Sequence, residues 1–355
     1  MSGDASGDNV SGETAVATLA DAPRMQLGHW PTALEPCHRL REHLGGPLVW
    51  LKRDDCTGLA MGGNKTRKLE YLLGDALAQR CSGVVTFGAL QSNHARQTAA
   101  ACARAGLSCD LVLTRSVDRD DVHYVASGNV VLDRVLGATL HVVDDPDAAF
   151  VRFAELLEAA EAEGRRLYGI VPGGSDPVGT LGYVQAGLEL VGQFAEQSID
   201  PQRLVVAAST TGTAAGLLIG TGLAGTGVAG SDVRLDVACV YHDRGQTAAE
   251  LTALVAATVE ALGAPAADAA RLHVDDSQLG EGYGILTAAC LEAIELLART
   301  EGVLLDPVYS SKAFAHLLRA VREGELDEDR PVVFVHTGGS PGLFAYAAQW
   351  PDEGD

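Results

Sequence analysis

Met61-Gly62-Gly63-Asn64-Lys65-Thr66-Arg67-Lys68 is the stretch on which the reading of this chain turns. The chain has only four lysines, Lys52, Lys65, Lys68 and Lys312, and two of them fall within these eight residues. Paired glycines let a backbone come close to a planar ligand. A lysine amine attacks a carbonyl only when deprotonated, which requires a desolvated or cationic setting. Arg67 and Lys68 are expected to lower the pKa of Lys65 in this way. The plain alternative is a glycine-rich turn before a surface helix, with Lys65 solvated.

Working outward, apolar Leu69, Leu72, Leu73, Ala76 and Leu77 give residues 65–79 a helical stripe. Strands are predicted over 47–52, 83–87, 109–113, 139–143, 167–171, 204–208, 234–241 and 332–336. Helices are predicted over 93–105, 127–136, 147–163, 178–196, 213–224, 246–262 and 283–300, with another from 341. Such alternation implies an α/β protein of parallel sheets covered by helices on both faces. A length of 355 residues suggests two such units packed together. Residues 1–24, rich in Gly, Ser, Asp and Ala, are expected to be a disordered tail.

The net charge of −21, from 47 acids and 26 bases, disfavours nucleic acid and anionic membrane as partners. No apolar run approaches the ~18 residues of a membrane span. The seven cysteines form no C-x-x-C pair, so no metal site is expected. Free thiols in a cytoplasmic protein are the expectation.

Three further segments carry chemistry. Ser209-Thr210-Thr211-Gly212-Thr213 follows a predicted strand and opens a helix. Hydroxyls and unpaired N–H groups at a helix N-terminus suit a phosphate. The segment lacks a P-loop lysine and the dinucleotide fingerprint, so a monophosphate fits better than ATP or NAD. A Ser/Thr-rich N-cap is the alternative. Gln91-Ser92-Asn93-His94 lies where a strand gives way to a helix, a usual ligand position in open α/β sheets. Taken singly, Ser92 and Asn93 also read as cap residues and His94 as structural. Tyr283 in Gly282-Tyr283-Gly284 and Tyr309 in Asp306-Pro307-Val308-Tyr309 can face a pocket or simply pack. His336-Thr337-Gly338-Gly339 puts flexible backbone after the last strand.

Together, the motifs from Lys52-Arg53-Asp54-Asp55 to His336-Thr337-Gly338-Gly339 resemble the D-cysteine desulfhydrase and 1-aminocyclopropane-1-carboxylate deaminase family. Its members are pyridoxal-phosphate enzymes of fold type II, similar to the tryptophan synthase β subunit. The resemblance implies two parallel-sheet, three-layer domains with the cofactor in the cleft between them. The large domain would comprise residues 25–65 and 187–355, and the small one residues 66–186. By the same resemblance, Lys65 would bind the cofactor covalently and serve as the base at Cα. Ser209, Thr210, Thr211, Gly212 and Thr213 would hold its phosphate, Asn93 its phenolic oxygen, and Ser310 would face its ring nitrogen. Ser92, Asn93 and His94 would hold the substrate carboxylate. Ser92, Tyr283 and Tyr309 would complete the catalytic set.

The deaminases carry Glu at the position of Ser310 and Gln at that of His94, so the resemblance favours α,β-elimination over cyclopropane opening. The implied activity is a carbon–sulfur lyase acting on a small β-substituted amino acid, D-cysteine first, yielding pyruvate, sulfide and ammonia. Departures near the substrate, Ser310-Ser311 for the usual Thr-Gly and Glu281 for a common Pro, keep other reactions in view. These are L-cysteate or another β-substituted alanine as substrate, β-replacement in a specialised pathway, and the deaminase reaction. A non-enzymatic alternative is a regulator that binds a phosphorylated ligand. Family members are commonly homodimers, and a homodimer is expected.

Overall fold

The computed structural model describes residues 12–224, 230 and 232–350 and contains two sheets. Among the described residues, ten strands run in chain order. They are β1 (Leu34–Pro36), β2 (Val49–Lys52), β3 (Gly83–Ala89), β4 (Ser108–Thr114), β5 (Thr139–Val143), β6 (Leu167–Ile170), β7 (Arg203–Ala208), β8 (Arg234–Cys239), β9 (Leu272–Asp275) and β10 (Val332–Val335). The larger sheet has the order β1-β2-β10-β7-β8-β9, and the smaller β5-β4-β3-β6. Every pairing is parallel except β1 with β2. The buried run Val332-Val333-Phe334-Val335 shows the cause, since a strand covered on both faces has no polar side to alternate with.

The small sheet is inserted between β2 and β7 of the large one. No linker marks the expected break at 186/187, because the helix Pro177–Gln197 runs across it. That helix lies against Gly212–Leu223 with the two backbones nearly touching. A Cβ on Gly187 would stand 2.7 Å from Thr221 N, and one on Gly220 would stand 2.1 Å from Val184 O.

Two expectations need correction. Residues 12–21 of the supposed tail form a helix, with Ala15 and Leu19 buried in a cluster with Ile219 and Leu262. Ala15 and Leu19 are one helical turn apart, so two small contacts suffice to seat it. Residues 1–11 lie outside the described residues. The helix expected over 283–300 begins only at Ala288, capped by Thr287, whose hydroxyl accepts from Cys290 N at 3.2 Å. Gly280, Gly282 and Gly284 all have positive φ and hold Tyr283 in a loop.

Candidate active site

The residues that follow β3, β6, β7 and β10 converge on one cavity of about 720 Å³ between the sheets. This is where open α/β sheets bind ligands, because helix N-termini and strand carboxyl ends meet there.

Gly62 and Gly63 have φ of 70° and 125°, and Lys65 is the first residue of the helix Lys65–Ala78. A Cβ on Gly62 would sit 1.8 Å from Asp55 O, so the turn admits no side chain there. The turn aims Lys65 into the cavity, where burial lowers its pKa to about 8, with a hydrogen bond from Lys68 opposing. The expected help from Arg67 is not found. Two positions along a helix face away from each other, and Arg67 instead pairs with Asp54 and Glu189.

The amine of Lys65 and the hydroxyl-rich turn meet at one point. A Cβ on Gly173 would stand 2.2 Å from Thr210 Oγ1 and 3.3 Å from Lys65 Nζ. Asn64 Nδ2 donates to Thr213 Oγ1 at 3.0 Å, and Asn64 N donates to Thr337 O at 2.9 Å. Thus the lysine turn, the hydroxyl turn and the segment after β10 are tied together through one residue. Thr211 holds a φ of 56°, a left-handed conformation uncommon for a residue other than glycine, just ahead of the helix Gly212–Leu223. Ser209, Thr210, Thr211 and Thr213 line the cavity. Gly212 is buried behind them, its N–H donating to Thr210 O at 2.7 Å.

Sequence reasoning missed one member of this group as a contact of the turn. Lys68 is buried, and its Nζ donates to Gly173 O at 3.1 Å and to Ser175 Oγ at 2.8 Å. Ser175 Oγ in turn donates to Thr210 Oγ1 at 2.8 Å. A Cβ on Gly212 would come within 2.7 Å of Lys68 Nζ. Burial, reinforced by Lys65, pulls the Lys68 amine well below its ordinary pKa. The signal was available, since residues three apart share a helix face.

On the opposite wall, Ser92 caps the helix Asn93–Ala105, its Oγ accepting from Ala95 N at 3.1 Å, and also lines the cavity. Asn93 Oδ1 accepts from Asn129 Nδ2 at 2.9 Å, which leaves the Asn93 amide NH2 for a ligand. Thr86 Oγ1 donates to Ile170 O at 2.8 Å, so at 3.0 Å it accepts from His94 Nε2. His94 Nδ1 is then a bare acceptor, buried without a partner among the described residues. Burial, with Lys65 and Lys68 adding, keeps this imidazole neutral. Tyr283 and Tyr309 share a hydroxyl–hydroxyl hydrogen bond at the cavity wall, and burial raises both pKa values. Ser310 stands apart from the cavity-lining residues. It is fully buried at the start of the helix Ser310–Arg322, its Oγ donating to Asp306 Oδ1 at 2.6 Å and accepting from Asp306 N at 2.7 Å.

A buried amine of lowered pKa beside a hydroxyl-rich helix N-terminus fits a phosphorylated aldehyde, with the amine for its carbonyl and the turn for its phosphate. The comparisons with known proteins agree. D-cysteine desulfhydrase of Salmonella typhi is 39% identical over 333 residues, covering 92% of this chain and 97% of that protein. The crystal structure of an ACC deaminase homologue superposes with a TM-score of 0.83 at 36% identity, covering 95% of this chain and 98% of the other. A threonine deaminase isoform from Solanum lycopersicum shares the fold, with a TM-score of 0.67 at 15% identity over 96% of this chain and 93% of that one. The family model described as pyridoxal-phosphate dependent enzyme matches residues 25–338, which spans the lysine turn, the hydroxyl turn and both cavity walls. On this match and that cavity, the chain belongs to the pyridoxal-phosphate dependent enzymes.

Proposed function

We propose that this enzyme catalyses α,β-elimination on D-cysteine, releasing sulfide, pyruvate and ammonia. The observation that carries the proposal is the meeting of Lys65 Nζ and Thr210 Oγ1 against Gly173, inside a cavity that also exposes Ser92 and the tyrosine pair. It is supported by 39% identity to a D-cysteine desulfhydrase along nearly the whole length of both chains.

In this reading Lys65 holds the pyridoxal phosphate, the turn from Ser209 to Thr213 receives its phosphate with Lys68 behind, and the Asn93 amide reaches its ring oxygen. The bound cofactor supplies the electron sink for the bond cleavages at Cα and Cβ. The protein supplies position and protons. The N-terminus of the helix Asn93–Ala105, with Ser92, holds the substrate carboxylate. An amine whose pKa is about 8 is substantially neutral under mildly alkaline conditions, so Lys65 can accept the α-proton. The hydroxyls of Tyr283 and Tyr309 hold a proton beside the leaving sulfur, and burial keeps both protonated. By the resemblance Ser310 belongs on the ring-nitrogen side, and its hydroxyl, donated to Asp306 outside the cavity lining, offers the ring no charged partner. That favours prompt departure of a leaving group over cyclopropane opening.

Product analysis tests the proposal. Purified holoenzyme should form sulfide and pyruvate in equal amounts from D-cysteine and little 2-oxobutyrate from the cyclopropane amino acid. Production of 2-oxobutyrate with no sulfide would reverse the assignment. We also propose a homodimer working in the cytoplasm, in keeping with its seven free cysteines. Light scattering that gave a monomer mass would count against the dimer. Among the described residues, no helix is long and apolar enough to cross a membrane.

A further inference from the structure

The cavity continues outward between two sets of aromatic rings. On one side Tyr309 and Tyr283 lie with centroids 5.8 Å apart, Tyr283 and Tyr241 5.1 Å, and Tyr241 and His242 4.2 Å, each pair edge to face. On the other side Phe87 meets Phe150 edge to face at 4.8 Å. All six rings line the same cavity. Phe150 keeps 58% of its surface exposed and Tyr241 keeps 41%, so each outer ring leaves part of its apolar surface open. The inner rings belong to the reaction proposed above. A thiol ends one atom beyond Cβ and covers little of the rings that lie beyond Tyr283. Large aromatic faces exposed in a cleft are expensive to leave in water unless a ligand covers them.

We propose that the outer half of this cleft is a subsite for the leaving group, and that the enzyme takes cysteine S-conjugates, thioethers bearing an aryl or arylalkyl group on sulfur. This deepens the elimination reading and rests on it. The Cα–H bond breaks, and its electron pair becomes the Cα–Cβ π bond. The Cβ–S bond breaks with its pair going to sulfur, and the departing thiolate takes up one proton. Water then hydrolyses the enamine product, so one thioether and one water give one thiol, one pyruvate and one ammonium. No oxidant or reductant is needed. Tyr241 and Phe150 take no part in proton transfer. They cover the departing group and stack against it.

The experiment compares both enantiomers of S-benzylcysteine with both enantiomers of cysteine, using wild-type holoenzyme and the Phe150→Ala and Tyr241→Ala variants. Pyruvate and benzyl thiol are measured by chromatography, and binding is measured separately by calorimetry. The expected result is turnover of one S-benzyl enantiomer, with its kcat/KM relative to that of cysteine falling about tenfold in each variant, the size of one lost aromatic contact. Calorimetric affinity for the S-benzyl compound should fall in parallel. Turnover of cysteine with neither turnover nor binding of either S-benzyl enantiomer would overturn the subsite and leave the elimination reading intact. An unchanged ratio in both variants would overturn it as well. Phe150-dependent binding of the S-benzyl compound by an enzyme that cleaves neither substrate would sustain the subsite and defeat the elimination reading.

Discussion

One helix, Lys65–Ala78, serves two buried clusters of charge that behave in opposite ways. On one face Arg67 meets Asp54 and Glu189, with Lys52, Gln193, Thr32 and Tyr183 completing the network. On the other, Lys65 and Lys68 stand near His94 with no ion pair to a carboxylate among the described residues, and only Asp176 opposes the shift of Lys68. Burial is the largest influence on every group in both clusters. In the first, burial alone would raise the Asp54 pKa, but Arg67 and Lys52 outweigh it and hold the carboxyl at about 2. Of the bases there, Lys52 alone is drawn downward by burial, with Asp54 and Glu189 opposing. In the second cluster nothing outweighs burial, and all three bases move toward their neutral forms. Desolvation is common to both regions, and the partner decides whether it produces a fixed ion pair or a reactive base.

Four experiments break or sharpen this contrast, in descending order of effect. Lys65→Ala should abolish the visible band of the holoenzyme and lower product formation by roughly 10²–10⁴-fold or more, because both the attachment point and the base are lost. Its urea midpoint, read on the cofactor-free protein, should not fall, since no ion pair is removed and a desolvated amine is. Asp54→Ala should do the reverse first. It leaves Arg67 and Lys52 buried beside a single carboxylate, at a cost of about 3–5 kcal/mol. Denaturant titration reads that loss, and a midpoint within error of wild type would show that the network is not what anchors the helix. Lys68→Met removes the donor behind the hydroxyl turn and should weaken cofactor binding roughly 3–10-fold, the worth of one hydrogen bond. Titration of the cofactor-free protein by its visible band checks this.

The smallest effect is on pH dependence. Asp54 has a folded pKa of about 2 against an ordinary value of 3.8, so its contribution is present above pH ~4 and is lost as pH falls toward 2. It should amount to about 2 kcal/mol and be missing from Asp54→Ala. Lys65 has the opposite dependence. Its folded pKa of about 8 lies below 10.5, so the unfolded chain binds more protons between those values. The stability of the cofactor-free enzyme should therefore gain a term that rises with pH across that window, absent in Lys65→Met. A pH–stability curve with the same slope in enzyme and variant would show that Lys65 is not desolvated.

Much of the architecture was legible in local pattern. The strand read at 139–143 and the helix read at 93–105 have those bounds in the structure. In the helix, Ser92 and Gly106 punctuate the ends as cap chemistry demands. Strands β1 and β9, three and four residues long, carry too little alternation to be recognised and take their conformation from pairing with β2 and β8. The helix Ser310–Arg322 was missed because its start reads as a loop motif. Asp306 fixes that start, its carboxylate accepting from the N–H groups of Val308 and Tyr309 ahead of the helix and from the first orphan donor, Ser310 N.

By itself the sequence determined the order of most strands and helices, the lysine turn, the hydroxyl turn and the resemblance that pointed to pyridoxal phosphate. Each of these is written within a few consecutive residues, as a hydrophobic period, a cap or a glycine that permits positive φ. Only the tertiary structure decided which of Lys65, Arg67 and Lys68 keeps its charge, that Lys68 reaches Gly173 across 105 positions, and that six rings from distant segments face one cleft. Charge state and cavity shape depend on what lies within a few ångströms in space, and those neighbours come together only when the two sheets close on each other.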